Sequence, residues 1–205
     1  MKLFYSPGVC SLAVHIVLRE AGYVFELEKV DLHTKMTSQG EDFMKISAKG
    51  TVPFLQLDDG SGLSEGSVIN QFLADTCPES HLVPAAGSIE RVRLNEWMNF
   101  IATELHKSFH ALFHDTGDQA KSLYRDLIRE KLAYVVSELG DKPYLMGSRF
   151  TIADAYLYTV VTWLRPTGID LSGLALLKAY AQRIETRPSV RDARLAERLP
   201  VAAAA

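Results

Sequence analysis

Residues 2–22 read Lys2-Leu3-Phe4-Tyr5-Ser6-Pro7-Gly8-Val9-Cys10-Ser11-Leu12-Ala13-Val14-His15-Ile16-Val17-Leu18-Arg19-Glu20-Ala21-Gly22, a strand pattern, a turn and a helix pattern in succession. Lys2 to Tyr5 is a short β-favouring run, and Ser6-Pro7-Gly8 turns the chain. Leu12, Ala13, Ile16 and Val17 then recur at helical spacing through Glu20, and Gly22 supplies the stop. Working outward, Phe25 to Val30 reads as a second strand. Asp31 to Ser47 is polar and irregular, a surface connection of the kind that borders sites. Phe54-Leu55-Gln56-Leu57 and Leu63-Ser64 flank Asp58-Asp59-Gly60-Ser61-Gly62, which predicts an antiparallel hairpin because Asp-Gly supplies the turn conformations. From Ser67, the residues Val68, Ile69, Phe72 and Leu73 give another helix, closed by Cys77-Pro78. The order β-α-β-loop-β-β-α is that of an α/β unit.

Beyond this unit the pattern changes. Residues 81–88, containing Pro84 and Gly87, read as a linker. From Ile89 onward the spacing is helical without a convincing strand, with helices expected near 89–114, 119–139, 151–165 and 174–186 and a final turn after Pro188. The expected organisation is therefore an α/β domain over 1–80, a linker over 81–88 and an all-helical domain over 89–205.

Composition removes several classes. The 205 residues are 47% hydrophobic and 23% charged, ordinary for a globular protein and unlike collagen-like, disordered or disulfide-scaffold chains. With 22 Lys+Arg against 25 Asp+Glu, the net charge of −3 argues against neutralising many phosphates, so no nucleic-acid partner is expected. No uncharged apolar run approaches the roughly 20 residues that span a bilayer, and Pro7 interrupts the N-terminal apolar stretch before a signal core forms. Ala202 to Ala205 reads as a short tail. Two cysteines, Cys10 and Cys77, are too few for a disulfide framework and fit the cytoplasm.

Cys10 begins the first helix, where unpaired N–H groups and the helix dipole favour a negative charge, so a stabilised thiolate is expected there. Cys-Ser-Leu-Ala replaces Cys-x-x-Cys, so no resolving cysteine follows and an internal disulfide cycle is not expected. What remains open is a mixed disulfide with a soluble thiol, a thiol held jointly by Cys10 and the Ser11 hydroxyl, or a small buried residue without chemistry. Val52-Pro53 precedes a strand. A cis bond there would present the Val52 backbone to an extended peptide, whereas a trans proline would simply start an edge strand.

Ser64-Glu65-Gly66-Ser67 stands at the next helix start. It admits two readings: the helix N–H groups receive a ligand carboxylate while Glu65 receives an ammonium, or the side chains cap their own helix. On the long helix from Ile89, at about 100° per residue, Asn99, Thr103, His106 and His110 fall within about 60° of arc, with Lys107 beside them. Met98, Ile101, Leu105, Phe109 and Leu112 form the opposite, buried stripe. His106, His110 and His114 raise a zinc site, but no carboxylate or cysteine completes the set and no metal is expected. Thr151 and Asp154 form a capping box, for which Asp154→Ala is expected to cost roughly 0.5–2 kcal/mol.

Several segments together resemble the glutathione S-transferases and, within them, the bacterial beta class. They are Met1 to Ser11, Lys49-Gly50-Thr51-Val52-Pro53, Leu63-Ser64-Glu65-Gly66, Asn99 to Lys107, and Arg149-Phe150-Thr151-Ile152-Ala153-Asp154. The resemblance spans nearly the whole chain and implies a thioredoxin-like N-terminal domain followed by an all-helical C-terminal domain, assembled as a homodimer. Carried over by position, it implies that Cys10 contacts or disulfide-bonds the glutathione sulfur, and that Val52, before a cis-Pro53, pairs with the tripeptide backbone. Glu65 and Gly66 would hold the γ-glutamyl end and Lys35 would approach the glycyl carboxylate. Asn99, Thr103 and His106 would reach in from the helical domain, with Lys107 close by. The beta class keeps Cys10 where other classes use a Tyr or Ser hydroxyl, and Tyr5 is not expected to take that role.

The function so implied is transfer of the glutathione thiol, as co-substrate, to hydrophobic electrophiles in the cleft between the domains, a detoxification chemistry. Cys10 and His106 are assigned to chemistry, and Ser11, Lys35, Val52, Pro53, Glu65, Gly66, Asn99, Thr103 and Lys107 to binding. Related activities are glutathione-dependent disulfide reduction and dehalogenation through Cys10. The alternatives are a glutaredoxin-like thiol transferase and a non-catalytic module of the same fold that sequesters ligands or docks a protein.

Overall fold

The computed structural model describes residues 1–170 and 172–201; the tail expected at 202–205 lies outside the described residues. The first unit is built from β1 (Lys2–Tyr5), α1 (Ser11–Glu20), β2 (Glu26–Lys29), α2 (Phe43–Ile46), β3 (Phe54–Gln56), β4 (Gly62–Ser64) and α3 (Gly66–Asp75). The sheet order is β2-β1-β3-β4. β1 runs parallel to β2 with Phe4 opposite Glu28, and antiparallel to β3 with Phe4 opposite Phe54. β3 and β4 form the expected hairpin, with Phe54 opposite Ser64. Gly62 is a glycine because the Phe54 ring lies where its Cβ would be.

The segment 31–47, irregular in sequence, is held by specific polar bonds rather than by a long element. Asp31 accepts from the His33 and Thr34 N–H groups at 2.8 and 3.0 Å, and Asp42 caps the single-turn α2 by accepting from Met44 N–H. Glu28, 3% exposed, accepts from Ser38 Oγ at 2.8 Å and Gln39 Nε2 at 2.9 Å, so its buried charge is offset locally. Beneath this loop Phe4, Val30, Phe43 and Val52 form an apolar cluster joined by Phe54, with Phe4–Phe43 and Phe4–Phe54 centroids 5.5 and 5.9 Å apart.

The chain ends differently from expectation. Compact packing groups residues 185–201 with residues 1–82, and residues 83–184 make the second unit, so the last helix packs with the sheet unit. The expected final turn is a nine-residue helix, α9 (Pro188–Ala196). Its attachment to α1 is polar and specific. Arg187 grips Glu20, Nη2 to Oε2 at 2.8 Å, and Glu197, 2% exposed, accepts from His15 Nδ1 and from Gly8 N–H, each at 2.8 Å.

The second unit contains α4 (Ile89–Phe100), a π-helical segment (Ile101–His106), α5 (Lys107–Phe113), α6 (Asp118–Leu139), α7 (Ile152–Val161) and α8 (Ala175–Glu185). The helix expected over 89–114 is thus continuous in path but widens to π in its middle, which re-phases every face drawn through it at 100°. Thr103 Oγ1 donates to Asn99 O at 3.0 Å and Ser108 Oγ to Glu104 O at 2.7 Å, so side chains occupy carbonyls that a regular ladder would share only with N–H groups. α7 is buried along its whole length, and the capping box at its start is present. No helix among the described residues is long and apolar enough to cross a membrane.

Candidate functional site

β1 delivers the chain to a loop, Ser6 to Cys10, that folds back on itself. Ser11, fully buried, accepts from Ser6 N–H at 3.3 Å and donates to Ser6 O at 3.1 Å. Its hydroxyl closes the loop, with one bond donated and one accepted. Gly8 has φ +71, so the loop favours glycine for its backbone, and the position of its missing Cβ lies a close 3.3 Å from Leu199 Cδ2.

Cys10 is the N-cap of α1, as expected, and its Sγ donates to Val52 O at 3.1 Å. The stabilised thiolate is not found. Burial of the sulfur pushes the thiol up to about 12, outweighing the lowering effect of the Cys10 and Ser11 N–H groups, and the Glu65 carboxylate adds to the rise. At neutral pH Cys10 is therefore a neutral thiol with a hydrogen to donate. The Val52–Pro53 bond, for which sequence left both isomers open, is cis.

Glu65 is the N-cap of α3 with φ +72, and its own carbonyl takes the N–H groups of Val68 and Ile69. The Glu65 side chain makes no cap bond and, among the described residues, no other side chain caps this helix, so the capping alternative does not hold and its first N–H groups are left to other acceptors. The Glu65 carboxylate is met by Lys49, Nζ to Oε1 at 2.7 Å, and Lys49 also reaches Ser64 Oγ at 3.1 Å. The position of a Cβ on Gly66 would be 3.4 Å from Pro53 Cγ. Lys35, at φ +59, donates from Nζ to Gly50 O at 2.9 Å.

The segment Lys49 to Pro53 is thus the hub of the first unit. It touches Cys10 through Val52, Lys35 through Gly50, Gly66 through Pro53 and Glu65 through Lys49. Sequence reasoning missed Lys49 and Glu197; Lys49 lies in the quoted motif, and only the fold shows that its ammonium finds Glu65.

In the second unit, Asn99, Thr103 and Lys107 are exposed around the π segment, and the Thr103 hydroxyl is engaged by Asn99 O. His106 Nδ1 lies 2.6 Å from the Tyr156 hydroxyl, and its ring packs against Trp163 at 5.0 Å. Phe109 and Phe113 close on the same indole at 5.5 and 5.7 Å, an aromatic wall whose facing sequence alone did not reveal. His110 and His114 stack on each other instead of converging with His106. Among the described residues, no group of three or more His, Cys, Asp or Glu is placed to hold a metal ion.

Residues 8–76 match the glutathione S-transferase N-terminal domain, and residues 100–188 the glutathione S-transferase C-terminal domain. The chain is 48% identical to glutathione S-transferase GstA of Escherichia coli O157:H7, over 97% of this chain and 100% of that protein. The chain belongs to the glutathione S-transferase family. Among solved structures, this transferase resembles a bacterial beta class glutathione S-transferase of Sphingomonas chungbukensis, with TM-score 0.94 and 43% identity over 98% of this chain and 100% of that one. It also resembles a sphingomonad glutathione S-transferase complexed with glutathione, with TM-score 0.93 and 44% identity over 98% and 100% of the two chains. The thioredoxin-like sheet unit followed by helices is the fold of the family, and the chain is an enzyme, a glutathione S-transferase. These relatives give no support to a non-catalytic module.

Proposed function

We propose that the hub segment Lys49 to Pro53, with the groups it gathers, is the glutathione site, and that the enzyme joins the glutathione thiol to hydrophobic electrophiles. The observation that carries this reading is chemical complementarity along one segment. A neutral thiol at Cys10, an ammonium at Lys35, a carboxylate at Glu65 and uncapped helix N–H groups at Gly66 and Ser67 match the thiol, glycyl carboxylate, ammonium and γ-glutamyl carboxylate of the tripeptide. Cys10 turns its S–H from Val52 O to the ligand sulfur, which stabilises the thiolate of glutathione; the glutathione proton leaves to water. The thiolate then forms the carbon–sulfur bond while the electrophile's leaving group departs with its electron pair.

Ser11 supports this site through the loop. From the second unit, His106, Asn99, Thr103 and Lys107 are assigned to glutathione as the family resemblance implies, and the wall of Trp163, Phe109 and Phe113 to the apolar electrophile. A neutral Cys10 favours conjugation over glutaredoxin-like exchange, because the attacking species in exchange is a thiolate. The free cysteines Cys10 and Cys77 support a reducing compartment, the cytoplasm.

A homodimer is the proposed assembly. Its support is a surface cavity of about 410 Å³ lined by Arg93, Glu96, Trp97, Phe100, Tyr134 and Glu138, where exposed aromatic area and charges of both signs suit a second copy. Tyr134→Asp is expected to lower the mass seen by light scattering.

The test of the catalytic reading is retention on immobilised glutathione together with turnover of an activated aryl halide, for wild type, Cys10→Ser and Cys10→Ala. Retention by all three, with turnover falling most in the alanine variant, is expected, since serine keeps a donor. Absence of both retention and turnover in the wild type would overturn the assignment of this site.

A further inference from the structure

Lys49 and Glu65 form an ion pair at the surface, with side chains 56% and 63% exposed, and among the described residues Ser64 Oγ is the other group that the Lys49 ammonium meets. The backbone under Glu65 is fixed, because its carbonyl holds two N–H groups of α3. The backbone around Lys49 is fixed as well: Gly50 N–H donates to Ser47 O, and Gly50 O is held by Lys35. What is free to change is the long, flexible stem of Lys49. Its ammonium already stands on the carboxylate that the proposed site offers to the γ-glutamyl ammonium. Both groups carry the same charge and both seek the same acceptor, so a second ammonium brought to Glu65 is repelled by the first.

We propose that Lys49 is a displaceable counter-ion, an internal competitor that a ligand's α-ammonium must dislodge from Glu65; this rests on the assignment of Glu65 to the γ-glutamyl end. In the free enzyme Lys49 keeps the carboxylate neutralised. On binding it swings off Glu65 and keeps Ser64 Oγ. A ligand without an ammonium cannot replace the lysine at Glu65, so Lys49 sets how strongly the site depends on the amino group of its ligand. An exposed pair is weak enough for this exchange to be easy, and a partner buried among apolar groups would not yield.

Calorimetric titration tests the proposal with two ligands, reduced glutathione and its analogue bearing hydrogen in place of the γ-glutamyl amino group. The proteins are wild type, Lys49→Met, Lys49→Arg and Glu65→Gln. Lys49→Met is expected to tighten glutathione about two- to fivefold, the range an exposed ion pair supports, and to leave the analogue unchanged. Lys49→Arg is expected to behave as wild type. Glutathione binding that weakens or stays constant in Lys49→Met, or that tightens equally for both ligands, would overturn the proposal. Glu65→Gln separates the two levels. If it weakens glutathione while Lys49→Met fails to tighten it, only the counter-ion role falls; if it leaves glutathione binding intact, the assignment of Glu65 falls and the counter-ion role with it.

Discussion

Cys10 and Val52, 42 positions apart in sequence, meet through a hydrogen bond in which the thiol donates to the carbonyl oxygen at 3.1 Å. The bond ties the N-terminus of α1 to the segment that carries the cis Val52–Pro53 bond, and it shows where the cysteine's proton is held. Burial of the sulfur outweighs the two nearby N–H groups, so the helix start positions the cysteine without ionising it.

The first prediction follows directly. Thiolate absorbance and iodoacetamide reactivity of Cys10 in the free enzyme should rise with pH toward about 12, with no plateau at neutral pH. Because the folded value lies above the unfolded 9.0, Cys10's contribution to stability is whole below pH 9.0 and is lost as pH rises through about 12. A plateau in alkylation near neutrality would show a thiolate and contradict this account.

Glu197 is the acceptor on which the Cys10 loop leans. Arg19 Nε, which can only donate, lies 2.9 Å from His15 Nε2, so the His15 proton sits on Nδ1 and is given to Glu197 Oε1. Glu197 Oε2 meanwhile accepts from Gly8 N–H. Glu197→Ala removes the acceptor shared by the buried His15 Nδ1–H and the half-buried Gly8 N–H and is expected to cost about 2–4 kcal/mol by urea denaturation. Glu197→Gln, which keeps one acceptor oxygen, should cost less.

Asp154 carries more than a cap. It is fully buried and accepts from Thr151 N–H and Oγ1 at 2.8 Å each, from Leu145 N–H at 2.9 Å and from Tyr180 Oη at 2.8 Å. The roughly 0.5–2 kcal/mol of an isolated capping residue is therefore too small. Asp154→Ala is expected to cost about 3–4 kcal/mol, because donors from three separate segments lose their partner. Tyr180→Phe, removing one of the four, should cost about 1 kcal/mol in the same denaturation series.

The succession of elements, the hairpin and the start of α1 were legible because they depend on local patterns: the Phe54 and Leu63 runs around Asp58-Asp59-Gly60, and the helical spacing from Leu12; the strand order β2-β1-β3-β4 is a matter of long-range pairing. Cys10, Val52, Pro53, Glu65 and Gly66 were legible as motif residues, and the fold links them through one segment. The ionisation of Cys10 was not legible, since helix position is local but desolvation depends on what Val52 and its neighbours cover. The π segment escaped because a side chain such as Thr103 competing for a backbone carbonyl leaves the hydrophobic period nearly intact. Helix α9 escaped for a different reason: its partners, Glu20 and His15, are more than 160 residues away, so its stability comes from distant polar contacts rather than from its own pattern.

That junction gives the last prediction. Desolvation alone would raise the Glu20 carboxyl, but hydrogen bonds from Arg187 and Ser189, with the Arg187 charge, outweigh it and hold the group below its ordinary 4.5. A depressed folded value means the unfolded chain binds the proton more readily. The junction's stabilisation is thus present above pH 4.5 and is lost as pH falls through the lower folded value. Arg187→Ala removes the main partner of a mostly buried carboxylate and is expected to cost about 1–3 kcal/mol at neutral pH, and less under acid conditions where Glu20 is protonated. Denaturation midpoints for wild type and variant, measured from neutral to acid pH, should therefore converge as pH falls. A constant gap across that range would place the role of Arg187 in packing of its stem rather than in the charge pair.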